Sequence, residues 1–197
     1  MWTESLKQLK TAFLFIIVMT IITGLIYPAI VTGVAQLLFP WQANGSLIKQ
    51  NNIIVGSQLI GQNFTDAKYF WGRPSATSPY AYNASSSAGS NLGPSNPDLI
   101  TAIKQRIDVL HKADPQNKQL IPVDLVTTSA SGLDPDISPL AAYYQMERVA
   151  KARGLSEDVI KKLIDSHITS RSFGFLGEPR VNVLQLNLDL DKLSAHQ

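Results

Sequence analysis

The chain has 197 residues, contains no cysteine and carries 17 basic against 15 acidic side chains, which gives a net charge of +2. Because the basic residues form no cluster, this composition argues against a nucleic-acid-binding protein. The lack of cysteine fits both an extracytoplasmic domain without disulfides and a protein of a reducing compartment, so it excludes neither.

The N-terminal part of the chain contains a long segment without charge. Residues 11–48 include no Asp, Glu, Lys, Arg or His, and Ala12–Tyr27 is almost entirely apolar. A bilayer core about 30 Å thick needs roughly 20 apolar residues in a helix, because backbone amides in hydrocarbon must bond within their own segment. The segment therefore predicts one transmembrane helix with its outer flank over residues 11–40, and Pro28 and Gly33 are expected to loosen or kink its outer end.

The charges that flank this segment predict its orientation. Lys7 and Lys10 precede it, whereas residues 36–48 on the far side carry no cation. Cationic residues close to a first span tend to stay in the cytoplasm. We therefore predict a cytoplasmic N-terminus over residues 1–10 and an extracytoplasmic domain over residues 41–197.

A cleaved signal peptide is the competing interpretation of the apolar segment. The tripeptide at residues 33–35, Gly-Val-Ala, matches the small-x-small pattern of a cleavage site. The apolar run is, however, longer than the roughly 7 to 15 residues of a signal-peptide core. We therefore expect the segment to be retained as a membrane anchor.

The residues behind the anchor have the length and composition of one globular domain. Ile53–Val55 predicts a short strand, and the Ser, Asn, Ala, Gly and Pro residues of 75–97 predict a long surface loop. Asn96 can cap a helix that begins at Pro97 and ends near Lys112.

Two further helices and two further strands are predicted in the second half of the domain. Ser138 opens a helix that Gly154 ends, and Ser156 opens another with a broad apolar stripe. Alternating apolar residues predict strands at 122–127 and 181–186. This mixture of helices and separate short strands indicates a single N-terminal transmembrane helix followed by one α+β domain.

The residue types of a serine hydrolase occur in the domain, but their pattern does not indicate catalysis. The sequence lacks a Gly-x-Ser-x-Gly nucleophile elbow, and serine is abundant throughout. The dispersed histidines also fail to give the spacing of a metal site, and no phosphate-binding loop is present. We therefore predict no catalytic residue and no metal ligand among the residues considered, which are Ser129, Ser131, Asp134, His111 and His167.

Four blocks of sequence carry a resemblance to one protein family. They are GSQLIGQNF with YFWGRPSA at 56–64 and 69–76, GSNLGPSNP at 89–97, DLVTTSASGLDPDISP at 124–139, and LGEPRVNVLQLNL at 176–188. In this order behind one N-terminal span, they resemble the C chain of the Kdp potassium-transporting ATPase, the KdpC family. The resemblance extends over nearly the whole chain.

The resemblance implies an accessory subunit rather than an enzyme. The Kdp pump of the bacterial inner membrane couples ATP hydrolysis to high-affinity potassium uptake. It combines a potassium-binding channel-like chain, a catalytic P-type ATPase chain and a small single-span chain. The present sequence lacks the Asp-Lys-Thr-Gly-Thr phosphorylation motif. ATP and Mg²⁺ are thus implied to be bound by the catalytic partner, potassium is the transported ion, and no cofactor of its own is expected.

The family is further described as a catalytic chaperone that aids assembly and raises the ATP affinity of the catalytic chain. The resemblance links Gln145 to this effect on ATP affinity. If the N-terminus is cytoplasmic, Gln145 lies across the membrane from ATP, which excludes direct contact. Our hypothesis is an indirect effect in which the span packs against helices of the pump, with Gly24 and Gly33 as surfaces of close approach.

A second hypothesis concerns the loops at 75–97 and 127–138, which are rich in neutral oxygen and amide groups. Loops held by a rigid scaffold often carry recognition, so Asn91 and Asp134 are candidates for contact with the outer mouth of the ion-conducting chain. The alternative is that these loops only close turns.

A different functional class also remains open at this point. The chain could be a membrane-anchored extracytoplasmic enzyme or a stand-alone binding module. That interpretation predicts activity from the isolated fragment Asn44–Gln197. The subunit interpretation predicts no such activity, and predicts instead that the chain co-purifies with two much larger membrane proteins.

Overall fold

The structure is a computed structural model that describes residues 2–194, and the side chains of residues 4–193. The chain divides into two compact units, Met1–Leu47 and Ile48–Gln197.

The first unit is helical almost throughout. Helix α1 spans Trp2–Ile21, a π-helical turn spans Ile22–Ile26, α2 spans Tyr27–Leu38, and the short α3 spans Pro40–Ala43. Among the residues that the structure describes, one continuous helical stretch, Glu4–Leu38, is long and apolar enough to cross a bilayer, and none of it is buried within the chain. Its exposed apolar side chains therefore need a surrounding that is not water.

The irregularity of this helix lies directly before Pro28. Proline has no N–H, and its ring clashes with the carbonyl group four residues earlier in an ideal α-helix, here that of Gly24. The π-helical turn that contains Gly24 widens the helix at this point. Gly33 lies within the regular helix α2, so the loosening predicted at Gly33 is wrong.

The second unit combines five helices with two small sheets among its described residues. Strands β1 (Leu47–Gln50) and β2 (Ile53–Ser57) form a two-stranded sheet, with β1 beginning at the unit boundary. Strands β3 (Asp136–Ile137), β4 (Ile168–Thr169) and β5 (Arg180–Asn182) form an antiparallel sheet of order β3-β5-β4. In it, Val181 lies opposite both Ile137 and Ile168. The helices are α4 (Pro97–Ala113), α5 (Pro139–Tyr144), α6 (Met146–Arg153), α7 (Glu157–His167) and α8 (Val183–Ser194). The α+β prediction is confirmed.

The predicted helix ends are where the capping residues place them. The Asn96 side chain accepts a hydrogen bond from the backbone N–H of Asp98 at 2.8 Å, and α4 begins at Pro97. The Ser138 hydroxyl accepts one from the N–H of Ala141 at 3.1 Å, and α5 begins at Pro139. Gly154 ends α6 with a φ of +66°, a conformation that favours glycine.

The strand predicted at 122–127 is wrong. Residues Val123–Leu125 form a 3₁₀ turn instead. The Asp124 carboxylate accepts a hydrogen bond from the backbone N–H of Ser138 at 2.7 Å, which holds the turn against the start of α5. Val123 is exposed while Leu125 and Val126 are both buried, so the alternation in the sequence is not an alternation of burial.

The strand predicted at 181–186 is also wrong beyond its first residues. Strand β5 ends at Asn182, whose side chain accepts a hydrogen bond from the N–H of Gln185 at 3.1 Å and so caps α8. Val183, Leu186 and Leu190 then recur at helical spacing and are buried. In addition, the one helix predicted from Ser138 to Gly154 is divided into α5 and α6 at Gln145.

Residues 58–96 form no helix or strand in the described structure. The surface loop predicted at 75–97 is irregular as expected, but its anchor points are not exposed. Thr77 and Asn83 are buried. The Ser75 hydroxyl accepts the N–H of Tyr82 at 3.0 Å, and the Thr77 hydroxyl accepts the N–H of Asn83 at 3.0 Å. Side-chain oxygens thus replace a backbone ladder in this region.

The hydrophobic core of the second unit lies between the helices that follow residue 138 and strand β5. Its fully buried members come mostly from α5 to α8. Phe70, which belongs to the irregular segment, is also completely buried in this core. The positioning of the segment around Phe70 is therefore part of core formation.

Candidate functional site

The five residues that the sequence singled out lie in four parts of the chain. Gly24 and Gly33 belong to the first unit, Asn91 to the irregular loop, Asp134 to the turn before β3, and Gln145 to the junction of α5 and α6. Within the described residues, no hydrogen bond joins any two of them.

Gln145 is the most constrained of the five, with 1% of its surface exposed. Its side-chain oxygen accepts the backbone N–H of Trp71 at 2.8 Å and an Arg148 guanidinium N–H at 2.7 Å. Its amide nitrogen donates to the carbonyl groups of Trp71 and Ala141, each at 3.1 Å. A glutamine amide has two donors and two principal acceptor sites, so its hydrogen-bonding capacity is fully used inside the protein.

Asn187 on α8 holds the preceding residue in the same way. It is 1% exposed, its side-chain oxygen accepts the N–H of Phe70 at 2.9 Å, and its amide nitrogen donates to the carbonyl of Phe70 at 2.9 Å. Two consecutive residues therefore have both backbone groups paired with buried side-chain amides. We call Gln145, Asn187, Phe70 and Trp71 the amide clamp.

Arg148 on α6 extends the amide clamp to the residues before it. Its guanidinium donates to the carbonyl groups of Ala67 and Tyr69 at 2.5 and 3.1 Å, and lies 4.3 Å from the centre of the Trp71 ring. Burial lowers the pKa of Arg148 to about 10. The side chain stays charged at neutral pH and fixes the segment through charge-assisted hydrogen bonds.

Arg153, at the end of α6, makes a second set of contacts to this segment. Its Nε donates to the carbonyl of Lys68 at 2.8 Å, and its Nη2 is 2.7 Å from the Asp191 carboxylate. The same carboxylate accepts the Tyr69 hydroxyl at 3.0 Å. Burial, together with the hydrogen bond to Asp191, raises the pKa of Tyr69.

A cleft of about 460 Å³ lies between the irregular segment and α4. Its walls include aromatic side chains and two arginines, notably Phe64, Trp71, Arg73, Tyr82 and Arg106. Arg106 donates to the carbonyl of Val126 at 2.8 Å, and burial lowers its pKa. Aromatic and guanidinium walls can bind another group through cation–π contacts and hydrogen bonds.

Asp134 forms an ion pair with Arg73, at 3.1 Å. Its other oxygen accepts the N–H of Asp136 at 3.0 Å, so both oxygens already have partners in the fold. Burial raises the pKa of Asp136, and the Asn182 hydrogen bond and Arg180 oppose that rise. Among the described residues, Nε of Arg73 is buried without a hydrogen-bond partner.

Asn91 and the two glycines of the helix have open surroundings. Asn91 is exposed and has a φ of +52°, a conformation that asparagine tolerates better than most residues. A Cβ atom on Gly33 would meet nothing within 4 Å, and one on Gly24 would meet only the Thr20 methyl at 3.9 Å. Both glycines therefore leave a free surface on the apolar helix.

Ser129 and His167, two of the side chains considered for hydrolysis, have different partners within the fold. The Ser129 hydroxyl accepts the N–H of Gly132 at 2.9 Å, while His167 Nε2 lies 3.0 Å from the Asp189 carboxylate and its Nδ1 lies 2.9 Å from the carbonyl of Leu163. Over residues 2–194, no group of three or more His, Cys, Asp or Glu side chains could hold a metal ion.

The amide clamp is the feature that sequence reasoning missed. The strand predicted at 181–186 concealed helix α8 and with it the position of Asn187. The available signal was a buried helical stripe of Val183, Leu186 and Leu190 in which one position, residue 187, is polar.

Comparison with known proteins matches nearly the whole chain to one family model. The family model described as "KdpC: K+-transporting ATPase, c chain" matches residues 9–192. Proteins named potassium-transporting ATPase KdpC subunit from Methylococcus capsulatus and Variovorax paradoxus are each 58% identical to this chain. Those alignments cover 95% of this chain and 99% and 97% of the relatives. A protein of the same name from Herpetosiphon aurantiacus is 57% identical, over 94% of this chain and 96% of its own length.

Proposed function

The chain belongs to the KdpC family of K⁺-transporting ATPase c chains, and from this membership we propose that it is a non-catalytic accessory subunit of an ATP-driven potassium-uptake complex. The observation that carries the proposal is the extent of the match, which includes both the apolar helix and the amide clamp. Potassium is the transported ion, and ATP and Mg²⁺ are bound by the catalytic partner.

The proposed partners are a potassium-binding channel-like chain, a catalytic P-type ATPase chain and a small single-span chain. The proposed location is the bacterial inner membrane, with a cytoplasmic N-terminus and an extracytoplasmic domain. The exposed apolar helix supports a single membrane span. Lys7 and Lys10 at its start support the orientation.

The proposed role is to aid assembly and to raise the ATP affinity of the catalytic chain indirectly. The burial of Gln145 supports the indirect route, because an amide whose donors and acceptors are all paired has no bond to offer a nucleotide. Gly24 and Gly33 supply the surface on which the span packs against helices of the pump. A coupling of this kind typically amounts to about 1 to 3 kcal/mol.

Co-purification is the direct test of membership in a complex. The full-length chain, isolated in mild detergent, is expected to bring with it two much larger membrane proteins. The fragment Asn44–Gln197, expressed as a control, lacks the span and is expected to retain them poorly. Isolation of the full-length chain alone, under conditions in which the larger chains are present and intact, contradicts the proposal.

A substitution in the span tests the indirect effect on ATP. Gly33→Leu adds a side chain where the chain itself has open space, so any effect reports a contact with a partner. We expect a raised KM for ATP in the assembled complex, by about 5- to 150-fold if the contact carries the whole coupling. Val31→Leu, at another exposed position of the same helix, is the control. Photocrosslinking of an ATP analogue to the isolated domain at a site that depends on Gln145 contradicts the indirect route.

We further propose that Asn91 contributes to docking on the ion-conducting chain, whereas Asp134 acts within the fold. Both Asp134 oxygens are already engaged, but Asn91 is exposed. Asn91→Gly removes the amide while it keeps a backbone that tolerates positive φ. Reduced assembly or potassium uptake in this variant is the expected result. Unchanged assembly and uptake favour the alternative, in which the loop only closes a turn.

A further inference from the structure

The loop that joins β4 to β5, residues 170–179, displays a cluster of exposed apolar side chains. Phe173 is 88% exposed, Phe175 71% and Leu176 50%. Single exposed apolar residues are ordinary on protein surfaces. Three within four residues at one tip, two of them aromatic, instead mark a contact site.

Part of the backbone of this tip is hydrogen-bonded within the loop. The N–H and carbonyl groups of Ser172 pair with those of Leu176, both at 2.9 Å. The N–H of Gly174 donates to the carbonyl of Arg171 at 3.2 Å. Transfer of a peptide group into hydrocarbon is costly when its hydrogen bonds are unmade. Because several of its backbone groups are already paired, this tip can enter the interfacial layer at a lower cost than an unpaired loop.

Two arginines lie at the base of the tip. Arg171 is paired with Glu178 at 2.6 Å and Arg180 with Asp136 at 3.0 Å, and the arginine side chains remain 44% and 47% exposed. Long cationic side chains can lay their stems along apolar surface and reach phosphate groups with their charged ends. The two arginines are balanced by their carboxylate partners, but their exposed guanidinium groups can still reach lipid phosphates. An apolar tip with such arginines at its base fits an anchor at a membrane interface.

The position of the domain in the chain favours lipid as the binding partner of the tip. Only residues 39–47 separate the apolar helix from the second unit. A bilayer that holds the helix therefore presents lipid to the domain at high effective concentration. This step depends on the membrane anchorage proposed above.

We propose that the 170–179 loop is a second membrane contact of this chain. Phe173, Phe175 and Leu176 enter the interfacial layer of the leaflet that faces the domain, and Arg171 and Arg180 lie at the level of the lipid phosphates. The span fixes the chain in the bilayer, and the loop gives the second unit a contact of its own with lipid.

Fluorescence quenching on the full-length chain tests this proposal. Because the chain has no cysteine, a single environment-sensitive fluorophore can be attached at Ser172→Cys, next to the tip, without competing sites. Liposomes that contain spin-labelled lipids then report its proximity to the bilayer. Val31→Cys, in the apolar helix, serves as the positive control. Leu120→Cys, at a residue 94% exposed in another loop, is the matched negative control.

The proposal predicts lipid quenching at residues 172 and 31 and little at residue 120. Adding Phe173→Ser and Phe175→Ser to the protein labelled at 172 should reduce its quenching to the level at 120. If spin-labelled lipid quenches only the fluorophore at residue 31, the loop contact is overturned and the anchorage is left intact. In that case the label at residue 172 is also tested in the assembled complex with an aqueous quencher. If the partner chains shield the label there, the tip binds protein and not lipid. Equal quenching at 120 and 172 overturns a specific role for the loop, and no quenching at 31 overturns the anchorage and this proposal together.

Discussion

The family resemblance links Gln145 to ATP affinity, whereas the structure shows its side chain buried and fully hydrogen-bonded. A direct role toward a nucleotide requires free donors or acceptors, yet all the capacity of this amide is used to hold Trp71, Ala141 and Arg148. Its importance at the residue scale is therefore structural. It stabilises the segment that also delivers Phe70 to the core.

Gln145→Ala is expected to lower the free energy of unfolding by about 3 kcal/mol, because it leaves the backbone groups of Trp71 and an Arg148 donor buried without partners. Gln116→Ala, at an exposed glutamine, should change it by less than about 0.5 kcal/mol. Denaturant unfolding of the detergent-solubilised chain, followed by tryptophan fluorescence, measures both. A variant at 145 that lowers ATP affinity of the complex and leaves stability unchanged would show that the role is not structural.

A second single residue, Tyr82, is expected to make the free energy of unfolding depend on pH. Burial raises its pKa from 10.0 to about 12, with Asp134 adding to the rise, and its hydroxyl donates to the carbonyl of Arg73 at 2.5 Å. Because the folded-state pKa is the higher one, this contribution to stability is complete below pH 10 and is lost as the pH rises toward about 12.

Comparison of Tyr82→Phe with the parent chain isolates this contribution. The lowered pKa of Arg148 acts in the opposite direction over the same range but is common to both proteins. Unfolding free energies measured from neutral pH upward should fall more steeply in the parent than in the variant. Parallel curves contradict the assignment.

At the scale of elements, the sequence is most informative where one residue defines a helix end. Asn96, Ser138 and Gly154 each do so through a side-chain oxygen or a positive φ, and these local effects are visible in the sequence. Strands β3 and β4 have two residues each, too few for an alternating pattern. Apolar and polar residues alternate over 181–186, but the cap at Asn182 and the contacts of Asn187 favour a helix from residue 183 onward.

The amide clamp lies beyond sequence reasoning for a different reason. Its two hydrogen-bonded pairs join residues separated by 74 and 117 positions. Glutamine and asparagine are usually exposed. The apolar stripe of α8 is a local signal for Asn187, but nothing local marks Gln145 as buried or indicates the partners of either residue. Only the packing of α5, α6 and α8 brings them to the irregular segment.

The turn around Gly132 gives a prediction for the loops. Gly132 has a φ of +67°, and a Cβ atom there would lie 2.5 Å from the carbonyl oxygen of Ala88 and 2.7 Å from the Thr77 methyl. Gly132→Ala should therefore lower the free energy of unfolding by about 2 kcal/mol. Gly93→Ala, where a Cβ has open space, should change it little. Thermal unfolding of the two variants measures both losses of stability. Equal losses in the two variants contradict close packing at this turn.

For the molecule as a whole, the apolar helix and the family resemblance were both apparent in the sequence, because hydropathy and motif order need no tertiary information. The structure adds that the second unit has a core of its own. All members of the buried cluster lie at or beyond residue 70. The domain should therefore not depend on the helix for its fold.

The fragment Asn44–Gln197 is accordingly expected to fold and to show a cooperative thermal transition close to that of the domain in the full-length chain. Circular dichroism and calorimetry of the purified fragment measure this. A fragment that remains unfolded contradicts an independent core. Turnover of a small-molecule substrate by the fragment would instead favour the membrane-anchored enzyme considered from the sequence.

The pairing of Phe70 with Asn187 has a consequence for how the protein is made. The partner of Phe70 lies on the last helix, 117 residues further along, so the core cannot close until synthesis is almost complete. A growing polypeptide cannot pair the backbone of Phe70 with Asn187 before α8 has left the ribosome. Completion of the core is thereby postponed to the end of synthesis.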